Sequence, residues 1–200
     1  MEPPLPVHVI GEDAVHAAVG RRVCASVGVT VSPTPFVLRG KSRLDRRLKE
    51  YARAATVLRF LVLRDLDHDA ECAPALLRGL APRSAPGLML RVPVREVESW
   101  LLGHSVAFAK FLGVSEVLIP RDPESLPDPK AQVVRLARRS RRREIREGLV
   151  PYSETFPIGP EYNSLVSDFA ANAWDPAVAA SRCDSLSRCL ARLACWADAR

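Results

Sequence analysis

The stretch from Val57 to Asp69, VLRFLVLRDLDHD, constrains the fold more than any other part of the chain. Its first half is an apolar run of strand length, Leu58 to Leu63, broken only by Arg59. Such a run, bounded by charge, predicts a strand buried on both faces of a sheet, which is the habit of parallel α/β sheets. Its second half sets Asp65, Asp67 and Asp69 in alternate positions. Ligands of open α/β sheets collect at the carboxyl ends of the strands. Alternate residues of an extended segment share a side, so Asp65 and Asp67 are expected to project together. Two adjacent carboxylates repel unless a proton or a cation intervenes, and hard oxygen donors suit Mg²⁺ or Mn²⁺. A solvated acidic loop after a core strand has the same pattern.

The flanking segments predict alternating elements. Val7 to Ile10 reads as a first strand, and Val15, Val19, Val23 and Val27 form a helical stripe. Short strands are expected at Val29 to Val31 and Phe36 to Leu38, then a helix carrying Leu44, Leu48 and Tyr51 with Ser42 as N-cap. After the Leu58 to Leu63 strand, a helix from Cys72 to Leu80, a strand from Leu88 to Val94 and a helix opened by Glu96 follow. This β-α-β-β-α-β-α-β-α order predicts a mostly parallel, Rossmann-like α/β sheet flanked by helices over residues 7–102. Residues 103–200 are expected to form a helical extension packed on it, with Val117 to Ile119 the only strand-like piece and an Arg-rich segment at 135–146.

Composition adds little except in its local clustering. The apolar fraction of 48% supports a core, and the net charge of +6 rests almost wholly on arginine. Seven arginines lie between Arg135 and Arg146, with Lys130 upstream. A solvated helical face explains many charge runs, but this one is almost unrelieved by acid and predicts phosphate contact through residues such as Arg138, Arg139 and Arg142. No interleaved aromatics suggest base stacking. The five cysteines form no CxxC pair, which argues against a disulfide framework or a zinc site. No run approaches the length of a membrane span and no secretory leader is visible, so a cytoplasmic protein without membrane contact is expected.

Three further groups carry candidate chemistry. Glu12 sits just past the first strand, where a right-handed crossover would bring it beside the aspartates; a helix N-terminal charge is the plainer role. In Arg39-Gly40-Lys41-Ser42, the glycine lets the backbone approach a ligand and the two cations can hold a phosphate, although the pattern is too short for a Walker loop. Glu98 is either an additional acid near the metal or an exposed helix residue. The histidines His8, His16, His68 and His104 sit in no motif.

The order of motifs resembles the TOPRIM fold of topoisomerases, primases and overcoming-lysogenization-defect nucleases. More closely, the chain looks like a family of stand-alone bacterial TOPRIM-like proteins of uncharacterised function, encoded beside ATPases in loci of a defence type. The matching pieces are GEDAV, LVLRDLDHD, ESWLL, DPK at Asp128 to Lys130, GPEYNSLVSDF and WDPAVAASRCDSL. The resemblance implies Glu12 as the acid and Asp65 and Asp67, with Asp69 beside them, as the Mg²⁺-binding group of a nuclease. It departs at Asp13, where the family has glycine, and at Gly103 and His104, where it has alanine and aspartate. The function implied is Mg²⁺-dependent phosphodiester cleavage of DNA or RNA, in an anti-phage setting, with Asp67→Ala expected to abolish activity. The alternatives are a partner subunit of an ATPase, non-catalytic or active only when bound, and a nucleotide-binding or phosphotransfer module.

Overall fold

The computed structural model describes residues 5–80 and 85–198. Four strands form one sheet: β1 (Val7–Gly11), β2 (Phe36–Val37), β3 (Arg59–Leu63) and β4 (Leu88–Arg91). All pairings are parallel and the spatial order is β2-β1-β3-β4. Helices α1 (Ala14–Ser26), α2 (Lys41–Ala54) and α3 (Ala73–Leu80) make the crossovers. The chain leaves β1 on one side to form β2, then passes back over β1 to form β3 on the other. The direction of winding therefore reverses between β1 and β3, and in parallel α/β sheets the crevice at such a reversal is where ligands bind.

The two faces of the sheet are covered differently. Val7, Val9, Leu61, Leu63 and Met89 face α1, whose Val15, Val19 and Val23 form the expected stripe. Ile10, Phe60 and Val62 face α2, through Leu44, Leu48 and Tyr51. A third small cluster, Leu66, Leu76 and Val92, lies under α3. The alternation along β1 and β3 is what divides these residues between the faces.

Beyond the sheet come α4 (Glu98–Gly103), α5 (Ser105–Leu112), α6 (Pro129–Ala137), α7 (Arg143–Leu149), α8 (Tyr162–Asn172), α9 (Pro176–Ala180) and α10 (Asp184–Asp198). Their apolar residues, including Trp100, Phe108, Tyr162, Phe169, Trp174 and Leu193, join the same core cluster as Val9 and Leu61. The helical half is thus built into the α/β unit and shares its core. Two fully buried tryptophans tie it together: Trp174 Nε1 donates to the carbonyl of Trp100 at 3.2 Å, and Trp100 Nε1 donates to Ser185 Oγ at 2.7 Å. Truncating either to alanine would cost about 3–5 kcal/mol.

Local expectations differ from the structure in four places. Val29 to Val31 supplies only a single bridge, Val7 to Val31. Val117 to Ile119 is no strand: Glu116–Leu118 is a 3-10 turn with Val117 largely exposed, because no neighbouring strand offers it a ladder. β4 stops at Arg91, three residues short of Val94. Helix α2 starts two residues early, with Gly40 at the cap position instead of Ser42. Before β4, a Cβ at Gly87 would collide with the carbonyl oxygens of Leu58 and Ala55, so that close passage needs glycine. Among the described residues, no helix is long and apolar enough to cross a membrane.

Candidate metal and acid centre

The carboxyl ends of β1 and β3 meet at the reversal crevice, and the polar residues of the chain converge there. Glu12 directly follows β1. Asp13 caps α1: its Oδ1 accepts from Val15 N at 2.9 Å and His16 N at 3.1 Å. The same oxygen lies 2.8 Å from His16 Nδ1. Asp65 follows β3 and turns inward, where its Oδ1 accepts from Val97 N at 2.9 Å. That oxygen is 3.0 Å from His16 Nε2, close enough for an ion contact but poorly aligned as a hydrogen bond. Asp65 N donates to Glu12 Oε1 at 3.1 Å. One donor atom each from Glu12, His16 and Asp65 lies within 4.8 Å of the others. Two carboxylates and an imidazole form a donor set that suits Mn²⁺ and its neighbours better than Mg²⁺.

A second group extends this floor beneath α4. Glu98 is fully buried; its Oε1 accepts from the Tyr162 hydroxyl at 3.1 Å and lies 3.6 Å from Lys130 Nζ. Glu98 Oε2 has no hydrogen-bond partner. Glu96 Oε2 accepts from Lys130 N at 2.7 Å, and its other oxygen is 3.8 Å from Lys130 Nζ. The floor therefore holds five carboxylates, Glu12, Asp13, Asp65, Glu96 and Glu98, against two cations of its own, His16 and Lys130.

This imbalance sets the titration. Burial, then the charge of Asp65, pushes the Glu12 carboxyl up to about 7, against the pull of His16 and Arg64. Burial and Glu98 push Glu96 up to about 7. Glu98 is raised, first by burial, with Lys130 opposing and Asp65 adding. Burial disfavours charge on His16, but Asp65 and Asp13 outweigh it and hold the imidazole well above its ordinary value. Partial burial opposes charge on Asp13, but the hydrogen bond and charge of His16 outweigh it and hold the carboxyl well below the usual range. Burial likewise opposes charge on Lys130, and Glu98 and Glu96 overcome it, keeping the ammonium charged. Such clustering of displaced carboxyls is what a cation or bound protons would offset.

Above the floor lies a more open rim. Arg64, itself only 2% exposed, reaches Asp45 at 3.1 Å and Asp69 at 2.6 Å, and stands 3.8 Å from both Glu12 and Asp67. It also donates to the carbonyl of Asp65. Lys41 Nζ binds Asp67 at 2.8 Å and Asp69 at 2.7 Å. Although burial opposes its charge, Lys41 is raised by these partners, and Asp69 is lowered by Lys41 and Arg64.

The rim corrects the expected geometry. Asp65 and Asp67 do not project together, because the extended backbone ends before Asp67, which takes a left-handed φ of 48°. Arg95, also left-handed, binds this turn: its Nη1 donates to Asp67 O at 2.7 Å, and Asp67 N donates to Arg95 O at 2.7 Å. Glu12 and Asp65 are brought together; Asp67 and Asp69 are held apart from them by Lys41 and Arg64. Glu98 is part of the buried floor, which overturns its reading as an exposed helix residue. Lys130 also lies in the floor, against Glu96 and Glu98, and is not on the surface with the arginines.

The remaining candidates lie outside. Arg39 is exposed in the turn before α2, with φ 56°. Arg138 and Arg139 are exposed and have no ion pair among the described residues. Arg142 is engaged by Glu144 at 2.8 Å and the carbonyl of Phe111 at 3.1 Å. The residues that sequence reasoning passed over are His16, Arg64, Asp13 as a ligand of His16, and Glu96. For His16 a signal existed. It stands three residues after an aspartate at a helix start, and at i−3 and i−7 from Val19 and Val23 of the buried stripe. Comparison with known proteins gives no match to extend the TOPRIM resemblance: no family model, no curated protein and no solved structure is similar to the chain at the level of significance.

Proposed function

We propose that the chain is a divalent-metal-dependent phosphodiesterase acting on nucleic acid. The observation that carries this reading is the meeting of Glu12, His16 and Asp65 at the winding reversal, with Glu12 on the side that opens to the rim. Asp65 and Glu12 would hold the metal, Mg²⁺ or Mn²⁺, and His16 would be either a third donor or the buried counter-ion of Asp65. A metal held there supplies Lewis-acid polarisation of the phosphate and a more acidic bound water. If Glu12 stays off the metal, it would instead be placed to take the proton of an attacking water. The water oxygen bonds to phosphorus, the ester P–O bond breaks, and the leaving oxygen takes a proton from solvent. Lys41 and Arg64, on the rim, would neutralise the non-bridging oxygens, exchanging their present carboxylates for phosphate.

The test is nicking of supercoiled plasmid, and cleavage of labelled DNA and RNA, with Mg²⁺ or Mn²⁺ against EDTA. Asp65→Asn and Glu12→Gln are expected to abolish cleavage, while Asp67→Ala slows it. Equal cleavage by Asp65→Asn and the parent protein would sink the reading.

One observation favours a second reading. His16, as an imidazolium, already bridges Asp13 and Asp65 without any metal. A centre neutralised in this way needs no metal to hold together, and the alternative it leaves is a partner subunit of an ATPase, non-catalytic or active only in the complex, or a module that binds nucleotides. Calorimetric titration with Mn²⁺ separates the two: heat that disappears in Asp65→Asn favours the metal centre. Its absence, with activity appearing only on adding an ATPase, favours the subunit.

A further inference from the structure

The basic surface nearest the acid centre is the outer face of α2, whose arginines line a cleft beside β2. We infer that this cleft binds the phosphodiester backbone of a nucleic-acid strand and leads it to the rim. The cleft encloses about 510 Å³ and is lined by Val37, Leu38, Arg39, Arg43, Arg46 and Arg47. Along α2 the basic residues Lys41, Arg43, Arg46, Arg47, Lys49 and Arg53 face only two acids, Asp45 and Glu50. Both acids are spent: Asp45 on Arg64, and Glu50 on Arg47 at 3.0 Å. Arg39, Arg43 and Arg46 are exposed and have no ion pair among the described residues. Unneutralised guanidinium groups around one concavity repel each other, and a polyanion relieves that repulsion.

The spacing points to a polymer. Arg43, Arg46 and Arg47 of the cleft lie within about 6 Å along α2, and Arg39 adds a further guanidinium from the turn before it. A single phosphate cannot contact all four groups; successive phosphates of one strand can each take a different one. The position points to the same site as the acids. Arg39 and Lys41 flank Gly40, whose N–H donates to the carbonyl of Glu12 at 3.1 Å, so the cleft opens where Lys41 holds Asp67. In the arginine run at 135–146, Arg142, Arg143 and Arg146 are tied to Glu144, Glu147 and the carbonyl of Ser140, while Arg138 and Arg139 are exposed without an ion pair among the described residues and form the competing surface.

This deepens the phosphodiesterase reading by placing its polymer, but its test needs no cleavage. Binding of a fluorescein-labelled 30-mer, single- and double-stranded, is followed by anisotropy in EDTA over a salt series. Arg43→Glu with Arg46→Glu is expected to weaken binding at least about tenfold and to reduce the salt slope by about two. Arg43→Lys with Arg46→Lys retains most of the slope, which shows that charge and not folding is lost. Arg138→Glu with Arg139→Glu changes affinity less than threefold. The inference is overturned if the α2 reversal binds like the parent, if the 138/139 reversal has the larger effect, or if phosphatidylglycerol vesicles bind while the oligonucleotides do not. A protein that binds through α2 but never cleaves sinks the hydrolase and leaves the cleft; cleavage unaffected by the α2 reversal does the opposite.

Discussion

The floor and the rim of the acid centre are built from the same residue types and behave in opposite ways. On the rim, Asp45, Asp67 and Asp69 meet Arg64 and Lys41 at hydrogen-bond distances and remain partly open to water. Each charge has a partner, and water screens what is left. In the floor, five carboxylates share its own two cations, and all of them but Asp13 are more deeply buried than the rim acids. Charge that the fold does not itself neutralise is left to protons or to a bound cation. The difference teaches that acid count alone does not set how carboxylates titrate; burial and a shortage of counter-charge do.

The sharpest way to break this contrast is Asp65→Ala. It leaves His16 Nε2 and the Val97 N–H buried without Asp65, with Asp13 still facing the imidazole, and is expected to cost about 3–5 kcal/mol in urea unfolding. A loss below about 1 kcal/mol would mean that the floor is not a coupled unit. Next in size is the response to pH. Glu12 and Glu96, raised to about 7, bind protons more tightly in the folded state than in the unfolded state. Stability in EDTA should therefore fall as pH rises from about 4.5 through 7. His16 extends the decline above its unfolded pKa, because its folded value is raised. Asp13 acts the other way, with stability lost as pH falls below the ordinary carboxylate range. Glu12→Gln with Glu96→Gln should flatten the neutral part of the profile, and Mn²⁺ should restore stability at pH 8 if the floor takes a cation. Tyr162→Phe removes one buried hydrogen bond to Glu98 and should cost about 1–2 kcal/mol in thermal unfolding. Smallest is Asp67→Ala on the rim, expected within about 1 kcal/mol of the parent, because its ion pair with Lys41 is part-exposed.

How much of this was legible in the sequence follows from the range of the forces involved. β1, β3, the α1 stripe and the parallel α/β class are local patterns of period two or 3.6, and the sheet has them. Glu12 and Asp65 were legible as a pair, because topology brings the ends of adjacent parallel strands together. Asp67 was misplaced, since alternation holds only while the backbone stays extended and Asp67 sits in a left-handed turn. Glu98 and Lys130 were not legible as partners of the floor. Their burial depends on Tyr162 and on the start of α6, both far along the chain, and no short window contains that information. Arg64 was hidden by its setting, a single charge at the end of an apolar strand, and its role appears only once four acids surround it.

The shared core described for the two halves bears on how the protein is made. During synthesis α1 is made before β3 and already covers the Val9 and Leu61 face of the sheet, but the side of α1 that α8 covers stays open until late in the chain. Until α8 arrives, that side of α1 is an adhesive surface for any other nascent chain. A shortened version ending before α8 is accordingly a candidate for aggregates.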